Sequence, residues 1–194
     1  MSSNNLVIAR VACVLSTLAL LPPFAHAQPV AGYLGGSAED TIRDMAIDGA
    51  GNVYVTGGTA RATFPRTIGP AFAGVMDVFL TKYSSSGTLM CSALFGGPNY
   101  DRAYAVEIAP SGTIVVAGRA GSGLPTTLGV LQPAYGGDIA PEYAYGPQDG
   151  FVAAFDSGCQ FVWATYLGGQ GREVTRDIAV DGTSIYASQT TTTA

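Results

Sequence analysis

Tyr33-Leu34-Gly35-Gly36 returns as Leu94-Phe95-Gly96-Gly97 and again as Tyr166-Leu167-Gly168-Gly169. Self-similarity of this kind marks a repeat architecture and takes precedence over local patterns. The first and third copies extend well past the Gly-Gly pair. Aligned without gaps, Tyr33 to Gly49 and Tyr166 to Gly182 share nine of seventeen positions, among them Arg43, Asp44, Ala46, Asp48 and Gly49. The second copy has diverged further, yet Asp40 aligns with Asp101, Gly51 with Gly112 and Gly57 with Gly118. Gly35 to Gly96 spans 61 residues and Gly96 to Gly168 spans 72. The extra residues lie between Gly118 and Asp149, so one loop has grown while the rest of the unit kept its length, as repeats allow.

Each unit reads as four short strands. In the second they are Leu89–Phe95, Ala103–Ala109, Thr113–Gly118 and Gly150–Phe155. Val53-Tyr54-Val55-Thr56 is β-branched and aromatic, the composition of a strand. Asp48-Gly49-Ala50-Gly51-Asn52 before it is turn chemistry, and Pro110-Ser111-Gly112 and Asp181-Gly182-Thr183 take the same place in the other copies. Phe79, Thr81 and Tyr83 share one side of a strand, as do Phe151, Ala153 and Phe155. No helical period runs through residues 28–194. The expected fold class is all-β, with blades of four antiparallel strands, two complete and one partial, in an incomplete ring. The units are expected at about 30–88, 89–158 and 159–194.

Several motifs occur in fixed order: Tyr-Leu-Gly-Gly, an acidic residue, Asp48-Gly49-x-Gly51-Asn52-Val53-Tyr54-Val55-Thr56-Gly57, Phe64-Pro65, then Asp77-Val78-Phe79-Leu80-Thr81-Lys82-Tyr83. In combination they resemble the SBBP family of bacterial β-propeller repeats, over about Val30 to Ser188. The second copy departs from the pattern, with Pro110 at the turn glycine and Leu124-Pro125 in place of Phe-Pro. The resemblance implies a propeller and an extracellular or cell-surface setting, and it implies no catalytic residues.

The first 27 residues read as a signal peptide. Arg10 precedes the apolar run Val11–Leu21, Pro22-Pro23 breaks it, and Ala25-His26-Ala27 offers small residues for cleavage before Gln28. The run is short for a membrane span. The mature domain, 28–194, would have no histidine, since His26 is the only one, and would carry fourteen acidic side chains against seven arginines and Lys82. Such a surface repels phosphate backbones, which argues against nucleic acid as a partner. Charged residues are only 12% of the chain and hydrophobic ones 47%, which suits a packed core. Cys91 falls in a strand and Cys159 at a turn, so the sequence favours a buried Cys91 over a disulfide between them.

Loss of histidine removes Ser-His-Asp and Cys-His catalysis and His-ligated zinc. No cofactor or metal site is expected. Asp40, Asp101 and Glu173 occupy one repeat position, four residues after the pairs Gly35-Gly36, Gly96-Gly97 and Gly168-Gly169. Carboxylates can hydrolyse polysaccharide, but a residue present in every unit suits a structural task such as capping a loop. Asp48-Gly49-Ala50-Gly51-Asn52 has too few acids for calcium and reads as a hairpin turn. The grown loop, Pro133–Gln148, is the candidate binding segment, with Tyr135, Asp138, Glu142, Tyr143 and Tyr145 offered to a protein or a carbohydrate. The expectation is a secreted or cell-surface, non-catalytic scaffold or binding module, the alternative being a carboxylate-based polysaccharide hydrolase. The third unit has no counterpart of Asp77-Val78-Phe79. Hence a fragment of a longer protein is expected, or self-association that completes the ring, with both outer faces of the stack exposing apolar surface and an unpaired edge on the third blade.

Overall fold

The computed structural model describes residues 5–9, 30–137 and 146–192. Every element among them is a strand. The first, β1 (Asn5–Ala9), lies within the segment read as a signal and pairs antiparallel with β2 (Val30–Leu34). The apolar run Val11–Leu21 and the expected cleavage site at Ala27 lie outside the described residues.

Two four-stranded antiparallel meanders follow. The first sheet comprises β3 (Asp40–Ile47), β4 (Val53–Thr59), β5 (Asp77–Tyr83) and β6 (Leu89–Phe95), paired in chain order. The second comprises β7 (Arg102–Ile108), β8 (Ile114–Ala120), β9 (Asp149–Phe155) and β10 (Phe161–Leu167), also in order. A third, two-stranded sheet is formed by β11 (Arg172–Asp181) and β12 (Ser184–Thr192). Strand β7 packs against β3 and β4 on one side and β11 on the other, so β3, β7 and β11 are the inner strands. The sheets stand side by side in an unclosed ring.

Sequence unit and sheet are out of phase by one strand. β6, which opens the second unit, is the outer strand of the first sheet. The turn before it is tight, with Ser84 N donating to Thr88 O, so β6 folds straight back onto β5. The crossing to the next sheet comes afterwards, at 96–101. There Asp101 N donates to Met76 O, and the later crossing repeats this with Glu173 N donating to Gln148 O.

The middle strands β4, β8 and β9 are buried along their whole length, which explains their continuous apolar and β-branched character. Alternation then assigns each side chain to an interface. Tyr54, Val78, Leu80 and Phe95 face Val106, Ile114, Phe151 and Phe155 between the first and second sheets. Ala105, Val115, Ala117 and Val152 meet Ile178 between the second and third. Val53, Val55, Phe79 and Leu94 occupy the opposite face of the first sheet. The expectation that both outer faces expose apolar surface is corrected at this face. Phe64, from the β4–β5 loop, stacks on Phe79 at 4.6 Å, and Leu34 joins the same cluster. The last strand, β12, does stand largely exposed. It runs on through Gln189 and Thr190–Thr192, beyond the strand residues expected from the sequence.

The preference for an unbridged Cys91 is also corrected. Cys91 and Cys159 form a disulfide, with Cα atoms 6.1 Å apart. The sequence compared the two positions within one repeat, but the contact runs between repeats. β6 of the first sheet faces the β9–β10 turn of the second. Lys82, the cross-strand partner of Cys91, donates to Ser157 O of that same turn at 3.0 Å.

Candidate functional site at the inner strands

The repeated acids hold turns together. Asp40 Oδ2 accepts from Gly36 N at 2.6 Å, and Asp101 Oδ2 from Gly97 N at 2.6 Å. Glu173 Oε2 accepts from Gly169 N at 3.1 Å, and its Oε1 from the Thr191 hydroxyl. The other oxygen of Asp101 accepts from Gly121 N at 2.9 Å. Gly96 is glycine because a Cβ there would sit 2.8 Å from Asp77 Oδ1 and 2.9 Å from Asp101 Oδ2. These two acids are not equivalent in the repeat, and the sequence did not pair them. Burial pushes Asp101 up to about 7 and Asp77 up to about 6, against the amides that hydrogen-bond them; the charge of Asp77 adds to the effect on Asp101. Both are buried to within 1%.

Asp48 accepts from the amides of Ala50 and Asn52 and from the Tyr54 hydroxyl, the geometry of a hairpin turn. Gly51, Gly112 and Gly182 all take positive φ at the corresponding turns.

Of the candidate loop residues, Asp138, Glu142, Tyr143 and Tyr145 lie outside the described residues. Tyr135 is assigned to packing, since its ring meets Tyr166 edge-on at 5.8 Å and leans on the main core. The loop ends are anchored as well. Gly136 N donates to Asp149 Oδ2 at 2.7 Å, and the buried Gln148 side chain donates to Tyr100 O at 3.0 Å. Pro133–Gln148 therefore includes framework at both ends, because the insertion grew from the middle of a connection that already braced β9 and β10.

A second cluster was not foreseen from the sequence. Each inner strand carries a β-bulge at one repeat position: between Ile42 and Asp44, between Ala103 and Ala105, and between Thr175 and Asp177. The bulged residues are Arg43, Tyr104 and Arg176. A bulge re-aims its side chain, and three equivalent bulges aim these three toward one another. The Arg43 guanidinium carbon lies 5.4 Å from the Tyr104 ring centre and that of Arg176 lies 4.9 Å from it. Two further arginines approach from the second sheet. Arg102 and Arg119 are direct cross-strand partners on β7 and β8, both buried, and stack on Tyr104 at 5.2 and 5.7 Å and on Tyr100 at 5.4 and 4.9 Å. Guanidinium planes are weakly hydrated and tolerate such burial over aromatic faces. The stem of Arg102 lies over Gly58 of the first sheet, where a Cβ would meet its Cγ at 3.0 Å.

The electrostatics follow from this crowding. Arg102 donates to the Tyr104 hydroxyl at 2.8 Å. Burial pushes that hydroxyl up, but the hydrogen bond and the charges of Arg119, Arg102 and Arg43 outweigh it, and Tyr104 titrates below an ordinary phenol. Burial lowers Arg119, and the neighbouring charge of Arg102 lowers it further. Four arginines thus meet around one ring in a chain of net charge −5. One sequence signal pointed here, the identity of Arg43-Asp44 with Arg176-Asp177. Arg102 and Arg119 gave none, because their repeat counterparts are Thr41 or Val174 and Gly58. Among the described residues no group of three or more His, Cys, Asp or Glu side chains is placed to hold a metal ion.

Four-stranded antiparallel meanders whose first strands face one another define β-propeller blades, here in an unclosed arrangement. Residues 32–68 match the family model of the SBBP β-propeller repeat. No curated protein sequence matches the chain. Among the described residues no helix is long and apolar enough to cross a membrane.

Proposed function

We propose that this chain is a non-catalytic scaffold or binding module of the propeller class, exported through residues 1–27 and displayed outside the cell. The observation that carries the reading is the use made of the repeated acids. Asp40, Asp101 and Glu173 each accept a backbone amide four residues back, a fixed structural task in every unit. The Cys91–Cys159 bridge between sheets supports export, since such bonds persist in oxidising compartments.

The hydrolase alternative has one observation in its favour, the buried Asp77 and Asp101 on either side of Gly96 with raised proton affinity. Glycosidase acids need solvent and a sugar between them. Here the amides of Gly97 and Gly121 take both oxygens of Asp101, that of Ala73 takes one oxygen of Asp77, and both side chains are closed off from solvent. Expression with the native N-terminus in a bacterial host tests the proposal. The expected product is secreted, begins at Gln28 and releases no reducing ends from a panel of polysaccharides. Retention of Met1 would remove the export half of the reading. Sugar release abolished by Asp101→Asn would replace the scaffold with the hydrolase.

A further inference from the structure

We propose that the arginine–tyrosine cluster on the inner strands is a binding site for an oxyanion, that is, a carboxylate, sulfate or phosphate group carried by the ligand. The proposal deepens the binding-module reading by giving the ligand a chemical class, and it stands on geometry that the export question does not touch.

Four guanidinium groups lie within 5.7 Å of one phenol ring. Cations that converge on one ring attract an anion together, and most strongly where water is displaced. Two of the four, Arg102 and Arg119, are buried and fixed by their stacking on Tyr100 and Tyr104. They hold the Tyr104 ring in place, Arg102 also through its 2.8 Å hydrogen bond to the hydroxyl. The other two, Arg43 and Arg176, are exposed and come from the first and third sheets. They are the groups able to close on a ligand from solvent, each presenting the planar fork that matches oxyanion geometry. Tyr104 offers a hydroxyl whose ionised form the site favours, which is how a site selective for negative charge treats its own titratable group. The three bulges make the arrangement a product of the repeat rather than of chance rotamers, because strand register fixes where each bulged residue points. Asp44 and Asp177, next to Arg43 and Arg176 in sequence, are tied to backbone amides, and Glu39 lies within electrostatic reach of Tyr100. Asp44 Oδ2 accepts from Val106 N at 2.8 Å across the sheet junction, and Asp177 Oδ1 accepts from Ile178 N at 3.0 Å.

The test is isothermal titration of the full chain with sodium phosphate, sodium sulfate and sodium acetate separately, against sodium chloride at matched ionic strength. The expected result is saturable binding of at least one oxyanion above the chloride background, weakening as salt is added, and the anion that binds identifies which group the ligand carries. The double variant Arg43→Ala/Arg176→Ala should weaken binding at least about tenfold. Both side chains are exposed, so the variant should keep its β-type circular dichroism. Arg61→Ala, exposed and outside the cluster, should leave binding unchanged. Absence of binding by all three anions above chloride overturns the proposal. So does an equal loss in Arg61→Ala, which would mean diffuse attraction to any surface arginine.

Discussion

Cys159 departs from the repeat in its backbone. It takes φ 64°, the left-handed region, where its counterpart in the β5–β6 turn is Gly87 at φ 84°. Glycine enters that region at little cost and cysteine does not. The second turn nevertheless keeps the same shape, with Asp156 Oδ1 accepting from Gly158 and Gln160 amides as Ser84 Oγ does from Thr88. A left-handed cysteine is tolerated because the turn places its sulfur against Cys91 of the neighbouring sheet. The bridge spans 68 residues. On the chain-entropy argument its removal should cost about 4 kcal/mol. Cys91→Ala measured by urea unfolding under oxidising conditions should show a loss of that order, and a reducing agent should bring the wild type close to the variant. A variant as stable as the wild type would mean that Lys82 and the shared core suffice to hold the two sheets together. None of this was legible within one unit, since the partners meet only when two units are laid side by side.

At the level of the strand, the bulge decides where the chemistry goes. A bulged inner strand crowds its neighbour, and the residue opposite is Gly57 on β4 and Gly118 on β8. A Cβ at Gly57 would collide with the carbonyl oxygen of Thr41, and one at Gly118 with that of Arg102. The sequence showed that these two glycines match between copies but gave no reason; the reason is the bulge they face. Gly118→Ala should therefore cost about 1–3 kcal/mol by forcing the backbones apart. Because Tyr104 is the bulged residue across from it, the variant should also weaken oxyanion binding. Gly112→Ala in the neighbouring turn should destabilise through its φ of 85° while leaving binding intact. Comparing the two variants by thermal unfolding and titration separates a general loss of stability from a displaced bulge. Strands, turns and the Gly-Gly acids were readable because each obeys a local rule of period two, turn chemistry or i to i+4 hydrogen bonding. The cluster was not, because it gathers one residue from each of three units and two more that the repeat does not predict. Tyr135 misled for a related reason: an aromatic residue in a long loop looks available until the partner it packs on, Tyr166, is known from the fold.

For the whole molecule, the junction between sheets sets a dependence on pH. Asp77 and Asp101 are enclosed where the first sheet hands over to the second, and burial raises them to about 6 and about 7. In the unfolded chain each titrates near the ordinary aspartate value of about 3.9. Between about pH 4 and pH 7 the folded chain keeps protons that the unfolded chain has released, so stability falls as pH rises across that window. The protonated form is the favoured one, and its contribution is fully present below the unfolded value and gone above the folded values. Asp48 acts in the opposite sense. Burial pushes it up, but its hydrogen bonds from Asn52, Tyr54 and Ala50 together hold it below the usual value, so its contribution is lost only on acidification below about pH 4. The window from pH 5 to pH 8 thus isolates the junction. Melting temperatures measured at constant ionic strength should be higher at pH 5 than at pH 8. The growing net negative charge of the chain works in the same direction, so a variant is needed to separate the two. Asp101→Asn keeps one acceptor for the amides of Gly97 and Gly121 but cannot ionise. It should be less stable than the wild type at pH 5, where it lacks the second acceptor, and the difference should narrow by pH 8. A wild-type melting temperature that climbs from pH 5 to pH 8, or an Asp101→Asn variant with the wild-type slope, would show that the junction acids are already ionised in the folded chain and that their amide donors, not burial, govern them.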